Sequence, residues 1–413
     1  MLLLLAAAPL TFEAAWQEAL QHNPTLQAAQ ADVDGARALE SVPWLQNPEL
    51  EVQADTVPDE GELTVTGTVT QPVTVPIALW ARQAAAGQQR TAAQARLEQA
   101  QAELAADIET ALATLAAAGE ALTLRGHLHA SALARAEALR QRAVAGNASP
   151  ADARNAAIDS AAALALQSRS EAEVEQAVAR LCALLGRSPC GSLEVVWPAV
   201  AAPRDDVEAL RIRAQLQRGD TRAARSIVQA REEEHTAAAW ERLPPVGVGV
   251  GVGFDRTRIG AVADNDWQVG AVLRMDLPVF DRGQRELFVA DAARSGARAQ
   301  AQRIELDADA EVRAAFASAH AAARAWDAQH AVAHDVDTAL HELESAQAQG
   351  ALALDTFLLA RDRLVQVRLQ SVETHKDAVA AQARLRAALG RLPEFDSLAP
   401  RRPQLPSSDG ERP

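Results

Sequence analysis

Two hydrophobic periodicities alternate along the chain. Through 97–115, apolar residues recur at intervals of 7, 4, 4 and 3, a seam typical of helices that pack along their lengths. The run 63–70 instead alternates strictly, with apolar residues on one face and threonines on the other, and 246–254 alternates valine or phenylalanine with glycine. A period of two is that of a β-strand whose faces meet different environments. The sequence therefore predicts long helices together with two-faced strands.

The order of these elements is repeated, which indicates an internal duplication. Each half predicts a helix, two strands and two further helices, and each ends on Leu-Gly-Arg, at Gly186 and at Gly390. The first structural repeat is assigned to 10–190, an irregular connector to 191–205, the second repeat to 206–392 and a disordered Pro/Ser-rich tail to 393–413. Strands are predicted at about 48–57, 63–74, 245–255 and 267–278, and long helices at about 77–145, 150–186, 283–349 and 353–390. Single shorter helices are predicted at about 11–39 and 206–240.

Composition favours packed helices over a compact catalytic core. Of 413 residues, 48% are hydrophobic, but only 3% are aromatic and none is Tyr. Much of the apolar content is alanine, which combines high helix propensity with little volume. No nucleophile–base arrangement or cofactor motif accompanies it, so neither an enzyme nor a cofactor is predicted. The formal net charge of −15 argues against a nucleic-acid partner, because phosphates are neutralised by clustered cations.

The strands are long enough to cross a bilayer as tilted β-strands, which takes about 9–11 residues. Four strands cannot close a barrel, and an open sheet edge is not tolerated in lipid. A membrane interpretation therefore requires oligomerisation, with three chains contributing twelve strands and long helices forming a tube. The alternative is two soluble hairpins that cap a coiled coil.

Two local features bear on the compartment. Residues 1–9 are apolar, short and without a basic region, and we interpret them as a remnant signal peptide; the alternative is an N-terminus that is merely apolar. Cys182 and Cys190 are the only cysteines. A disulfide between them would fit an oxidising compartment, but two unpaired thiols fit the spacing equally well.

Three segments resemble the TolC-like outer-membrane efflux proteins. Ala-Leu-Gln-His-Asn-Pro at 19–24 is similar to the Ala-Leu-x-x-Asn-Pro core of the family's opening helix. Asn-Pro-Glu-Leu at 47–50 and Thr-Gln-Pro-Val at 70–73 resemble its first hairpin, and Leu-Pro-Val-Phe-Asp-Arg-Gly-Gln at 277–284 resembles the exit from its second. Asn-Pro-Glu-Leu and Phe-Asp-Arg are most similar to the heavy-metal cation efflux branch. That branch typically has a Gly-Gly-Lys-Arg-type stretch where this chain has Ile-Ala-Leu-Trp-Ala-Arg at 77–82.

The resemblance implies a homotrimer in the cell outer membrane. A twelve-stranded barrel would lie in outer-membrane lipid, above an α-helical tunnel in the periplasm. The tunnel would dock on a periplasmic adaptor (a membrane fusion protein) and an inner-membrane RND-type pump. The chain would then be a passive exit duct for heavy-metal cations or other small solutes. A type I protein secretion duct and a soluble periplasmic coiled-coil scaffold are the alternatives.

The candidate functional residues lie at the two helical turns. In the family such turns meet the adaptor, which assigns Gly146 and Gly350 to docking and gating. Asp152 and Asp355 follow these turns and would form acidic rings that attract cations. The alternative for both is the ordinary role of an acid at a helix N-terminus, and for Asp152 it is a capping box with Ser149.

A second candidate site is a set of three histidines. His330, His334 and His341 fall near one helical face and would bind a metal in transit, although such histidines are more often simply solvated.

Overall fold

A computed structural model of the chain describes residues 9–41, 47–57, 62–73, 75–188, 190–191, 193–200, 206–244, 246–259, 262–275, 283–349 and 351–392. The helices are α1 (Phe12–His22), α2 (Pro24–Ser41), α3 (Pro76–Val144), α4 (Pro150–Leu185), α5 (Val207–Gln217), α6 (Gly219–Trp240), α7 (Gln284–Ala348) and α8 (Leu354–Ala388). The strands are β1 (Glu49–Val57), β2 (Glu62–Val73), β3 (Val246–Ile259) and β4 (Val262–Met275). The fold class is therefore as predicted, mainly helical with one four-stranded antiparallel sheet. The tail at 393–413 and all but Pro9 of the predicted signal remnant lie outside the described residues.

The sequence predicted one continuous first short helix, but the structure has two helices, with a break at Asn23. This residue is extended (φ −70°, ψ 121°), because the proline after it disfavours helical backbone at the preceding position. The Asn23 side-chain oxygen accepts the N–H groups of Thr25 at 2.8 Å and Leu26 at 3.1 Å, which caps α2. Its amide nitrogen donates to the carbonyl of Leu184, at the end of α4, at 2.8 Å.

The second short helix is broken at Arg218 in the equivalent way. This residue is extended (φ −61°, ψ 131°), and its guanidinium donates to the carbonyl of Ala388, at the end of α8, at 3.1 Å. It also pairs with Glu311 at 2.5 Å. In each repeat, a residue at a helix break therefore holds the C-terminal carbonyl of the last helix. The prediction of one helix over 206–240 missed this, because nothing local identifies an arginine as a break.

Left-handed glycines complete both contacts. Gly186 (φ 72°) and Gly390 (φ 65°) follow the two last helices. A Cβ at Gly186 would lie 2.4 Å from the carbonyl oxygen of His22, and one at Gly390 would lie 2.9 Å from the Cα of Arg218. The repeated Leu-Gly-Arg sequence thus marks two close backbone approaches that only glycine permits.

The chain forms two compact units, and each combines segments of both repeats. The helical unit comprises Met1–Ala28, Glu98–Arg218 and Ala308–Pro413, and the sheet unit comprises Ala29–Leu97 and Gly219–Asp307. The sequence repeats and the compact units therefore divide the molecule at different places.

The core of the helical unit is built from small and branched side chains. One buried cluster joins α5, α7 and α8 through Leu210, Ala214, Val312, Ala319, Ala381, Leu385, Ala388 and Leu389. The unit also contains an ion pair between Arg386 on α8 and the buried Glu109 on α3. Burial lowers the pKa of the Arg386 guanidinium.

The connector is docked within the helical unit at two places. Leu10 pairs with it in a short parallel bridge, donating to Glu194 at 2.7 Å and accepting from Val196 at 3.2 Å. The Trp197 indole then stacks on the imidazole of His375 with ring centroids 4.1 Å apart. The other face of that imidazole stacks on Trp326 at the same separation, so the connector is bound to both α7 and α8.

Cys182 and Cys190 are joined by a disulfide in the structure, with Cα atoms 6.1 Å apart. The Cys182 side chain is buried at the end of α4, and Cys190 lies immediately before the connector. A Cα separation of this size lies within the range that a disulfide spans.

The sheet has the order β1-β2-β3-β4, and its central pair joins the two repeats. The second hairpin is longer than predicted: pairing continues from Val246 opposite Met275 to Ile259 opposite Val262. The sequence placed a polar turn over this stretch because its charged residues obscured the alternation. In the same unit, α3 and α6 pack against each other through small side chains, with Ala92 and Ala95 of α3 against Ala223 of α6.

Gly249 in β3 and Gly270 in β4 differ in the space around them, which predicts a difference in stability between their alanine variants. A Cβ at Gly249 would lie 2.3 Å from the carbonyl oxygen of Val69 and 2.9 Å from the Cα of Thr70, whereas one at Gly270 meets nothing within 4 Å. We expect Gly249→Ala to lower the free energy of unfolding by about 1–3 kcal/mol through overpacking. Gly270→Ala is the matched control and should leave it unchanged or raise it by up to ~1 kcal/mol. Thermal unfolding of the purified variants followed by circular dichroism measures both, and equal stabilities would contradict the close approach.

The Trp–His–Trp stack predicts loss of stability in mild acid. Burial lowers the pKa of His375 from its ordinary value of 6.5, and the nearby charges of His330 and Arg368 lower it further, against a bond to the backbone of Pro198 that raises it. The folded state therefore favours the neutral imidazole, so its contribution is present above pH 6.5 and is lost as the pH falls through the lowered pKa. We expect the melting temperature to fall between pH 7.5 and pH 5 by less in His375→Gln than in the unaltered protein. Identical pH dependence of the two would exclude this group as a cause.

Candidate functional site

One face of the sheet is apolar across all four strands, with Arg256 near the end of β3 as a charged exception. The register places Leu50 opposite Val69, Val69 opposite Val250 and Val250 opposite Ala271. Its other members include Val52, Val65, Val248, Val252, Phe254, Trp267, Val269 and Leu273. The rings of Phe254 and Trp267 lie against one another with centroids 5.1 Å apart. Val269 is 75% exposed and Leu50 is 70% exposed. Contiguous apolar surface of this kind marks an interaction site rather than ordinary exposure.

The opposite face is polar and carries little bulk. Threonines of β2 lie opposite glycines of β3 in successive rows, as in Thr68 with Gly251 and Thr66 with Gly253. The predicted two-faced alternation of the strands is therefore present in the sheet.

Carboxylates form a row across the polar face toward the hairpin turns. Asp55 lies opposite Thr64, Thr64 opposite Asp255, and Asp255 opposite Asp266. The Thr64 hydroxyl donates to the Asp255 carboxylate at 3.1 Å, which confirms that both side chains are on this face. Like charges directly opposite one another destabilise a sheet, so folding alone does not account for this row.

A salt bridge spans the polar face at the end nearer the helices. Arg274 on β4 pairs with Glu49 at 3.4 Å and with Glu51, both on β1. Two strands lie between them, and Gly247, which is opposite Arg274, has no side chain to obstruct the path. Three strand spacings amount to about 14 Å in a flat sheet, which would require both side chains to lie fully extended. A sheet that curls toward its polar face shortens this distance, so the bridge indicates that the polar face is concave.

The first predicted helical turn is formed as the sequence indicated, with one difference at its cap. Gly146 is left-handed (φ 78°), and the N–H of Asn147 donates to the carbonyl of Arg142 at 2.7 Å. The Ser149 hydroxyl accepts the N–H of Ala151 at 3.1 Å, whereas the N–H of Asp152 bonds to the Ser149 carbonyl. The hydroxyl therefore caps α4 without the contact to Asp152 that a capping box requires.

The second turn shares the hydrogen bond of the first. Gly350 lies outside the described residues, but the N–H of Ala351 donates to the carbonyl of Ala346 at 2.9 Å, the same five-residue closure. Asp355 is in the first turn of α8, whose N-cap Ala353 offers no side-chain acceptor. The Asp355 side chain is not among those described.

The structure describes the side chains of two of the three candidate histidines, His330 and His341. The His330 ring lies against Trp326 with centroids 4.9 Å apart, and the side chain of His334 lies outside the described residues. Among the side chains that the structure describes, no three His, Cys, Asp or Glu are placed to hold a metal ion.

Within the same described ranges, no helix combines the length and the apolar character that crossing a membrane requires.

Sequence reasoning missed the partners on the polar face. Alternation along β4 puts Arg274 on that face, but it does not indicate the contact with β1, because pairing between distant strands has no local signal. Asp255 and Asp266 are equally far from the two residues between β3 and β4. Had the strands been extended to Ile259 and Val262, the pairing would have placed these two residues opposite each other.

Comparison with known proteins agrees with this architecture. Residues 15–187 match the family described as outer membrane efflux protein. No curated protein sequence matches the chain. The solved structures that it resembles include a membrane protein from Pseudomonas aeruginosa (21% identity, 92% of this chain and 93% of that one, TM-score 0.70). They also include the outer membrane protein VceC from Vibrio cholerae (20%, 92% and 96%, 0.71) and the outer membrane channel CmeC from Campylobacter jejuni (13%, 92% and 85%, 0.72).

Long helices combined with a two-faced, four-stranded sheet are the TolC-like fold, in which such a sheet is one chain's share of a barrel. The family match lies within the first repeat, and the resemblance to the TolC-like efflux family is confirmed at the level of the fold. The comparisons do not single out the heavy-metal branch.

The first helical turn predicts opposite effects of two alanine variants in α3 and the turn that follows it. Gly146→Ala forces a side chain into the left-handed region, and we expect a loss of about 1–2 kcal/mol in the free energy of unfolding. Gly126→Ala is the matched control in the interior of α3, where an added Cβ meets nothing within 4 Å. It should stabilise by up to ~1 kcal/mol. Thermal unfolding of both variants tests the turn, and a tolerated Gly146→Ala would show that its backbone is not left-handed.

Proposed function

We propose that this protein is the outer-membrane component of a tripartite efflux system, a passive trimeric exit duct. Three chains contribute twelve strands to one barrel, and the helices form a tunnel in the periplasm. The observation that carries the proposal is the sheet, apolar and exposed on one face and polar on the other. The family match and the fold similarity support the channel role.

Lipid is the environment that best fits the apolar face. In a water-soluble hairpin, side chains such as Val269 and Leu273 would remain exposed to water, which costs roughly 25 cal/mol per Å² of apolar surface. In a barrel the same face contacts acyl chains. The polar face then borders a water-filled lumen, in agreement with its concave curvature.

Closure by a second and third copy follows from the two edge strands. Within the described sheet, β1 and β4 each have one neighbour, so each has an unpaired row of backbone N–H and C=O groups. Such groups are not tolerated in lipid. Pairing β1 of one chain with β4 of the next satisfies both rows and leaves no open edge.

The two helical turns are proposed as the adaptor-docking and gating end, through Gly146, Asp152, Gly350 and Asp355. The partners are a periplasmic adaptor and an inner-membrane RND-type pump, which supplies the energy. Asp152 is exposed in the first turn of α4, which is compatible with the acidic ring and also with the ordinary role of an acid at a helix N-terminus.

Heavy-metal cations or other small solutes are the proposed cargo. The support is the resemblance of Asn-Pro-Glu-Leu at 47–50 and Phe-Asp-Arg at 280–282 to the heavy-metal branch, together with the acidic residues of the polar face. The duct holds no cofactor and performs no catalysis in this proposal. A type I protein secretion duct would have the same barrel.

A pair of adjacent lysine variants tests the duct against a soluble scaffold. Val269→Lys places a charge on the apolar face near the middle of β4, and Gln268→Lys places the same charge on the polar face. At the centre of a bilayer the first change costs about 2–4 kcal/mol per chain, whereas the lumen accommodates the second. We expect Val269→Lys alone to reduce the trimer recovered from outer-membrane fractions.

The measurement is the amount of unheated trimer on SDS gels after membrane fractionation and detergent extraction. Full recovery of Val269→Lys, or recovery of the unaltered protein in the soluble fraction, would contradict the duct and support the scaffold.

A further inference from the structure

We propose that Arg274 is a specificity-determining residue of the lumen, which sets how strongly the barrel prefers cations over anions. This inference rests on the proposed function, because it requires the polar face of the sheet to line a conducting pore. It concerns the barrel and is separate from the acidic residues at the helical turns.

The first observation is the imbalance of charge on the polar face. Among side chains described on this face, the carboxylates are Glu49, Glu51, Asp55, Asp255 and Asp266, and the one cation is Arg274. The described part of each chain thus presents five negative charges and one positive charge to the lumen, and threefold symmetry triples both. Fixed charges of one sign on a narrow wall raise the local concentration of the opposite ion.

The second observation is the position of Arg274 relative to these acids. Glu49 begins β1 and Arg274 is the penultimate residue of β4, so the bridge lies at the end of the sheet that leads to the helices. The row of Asp55, Asp255 and Asp266 lies toward the hairpin turns. The threonines and glycines between the two carry no charge. The lumen therefore has an acidic outer end and an inner end where one guanidinium offsets two carboxylates.

The third observation is that the guanidinium is held over the lumen wall and remains accessible. Its two carboxylate partners fix it across the glycine of β3, yet the Arg274 side chain is 42% exposed. Exposed ion pairs contribute little to stability, with a median of about 0–1 kcal/mol. Their charges nevertheless act on every ion within about 8 Å at physiological ionic strength. We therefore expect Arg274 to affect ion selectivity more than folding.

The test is the reversal potential of the purified full-length trimer in a planar lipid bilayer under a tenfold KCl gradient. The unaltered channel should prefer K⁺ over Cl⁻. Arg274→Gln should raise the permeability ratio of K⁺ to Cl⁻ by about twofold, because three positive charges leave the lumen. Glu51→Gln should lower the ratio, because three negative charges leave the lumen.

Two controls separate charge from structure. Arg274→Lys keeps the charge and should keep the ratio of the unaltered channel. Arg256→Gln removes the same charge from β3 at a position that alternates onto the apolar face with Phe254, and it should leave the ratio unchanged. Should Arg274→Gln fail to assemble, the opposite shift expected for Glu51→Gln decides the question.

The outcomes distinguish this inference from the function on which it rests. A channel that conducts without preferring K⁺, or whose ratio is the same in Arg274→Gln and Glu51→Gln as in the unaltered protein, overturns the role of Arg274 and leaves the duct intact. A purified protein that gives no conductance steps at all overturns the duct itself.

Discussion

Backbone hydrogen bonding at the edges of a four-stranded sheet constrains this molecule more than any side-chain contact does. The inner strands β2 and β3 are paired on both sides, whereas β1 and β4 each have a neighbour on one side within the described sheet. An apolar face alone would permit burial against any hydrophobic partner. Together with two unpaired edges it fits the proposed barrel, with lipid outside and further strands beside the sheet. In that barrel, curvature toward the polar face determines which side encloses the lumen, and the Arg274 bridge is the side-chain contact that reflects this curvature.

The duplication is expressed in the helical unit as a repeated contact. In each repeat an extended residue, Asn23 or Arg218, holds the carbonyl of a helix end, and a left-handed glycine follows. The two contacts differ in charge: the first uses a neutral amide, and the second a guanidinium that also pairs with Glu311. Hydrogen bonds to charged groups are roughly twice as strong as neutral ones. The two halves thus share geometry, while only the second contact carries a formal charge.

The connector and the turns show how function and stability are distributed along the chain. The connector is fixed by the disulfide, by its bridge to Leu10 and by the Trp197–His375–Trp326 stack. The first helical turn, by contrast, is held by local backbone bonds around Gly146 and is exposed. A fixed connector and an exposed turn suit a duct whose docking end meets partners.

The sequence by itself determined the elements and the faces of the strands. Both properties depend on local patterns: the seam at 97–115 predicts α3, and alternation at 63–70 predicts the two faces of β2, because each period reflects backbone geometry. Family motifs added the channel class. Local patterns failed where charge obscured them, as in the hairpin around 256–266, and where a helix broke without a proline, as at Arg218.

Only the tertiary structure decided which distant residues meet. The pairing of β2 with β3 joins residues almost 200 positions apart, and no local preference encodes that register. The Asp55–Asp255–Asp266 row, the Arg274 bridge and the Trp–His–Trp stack all follow from such pairings. Their physical basis is long-range packing, which selects one arrangement among many that local propensity leaves equivalent.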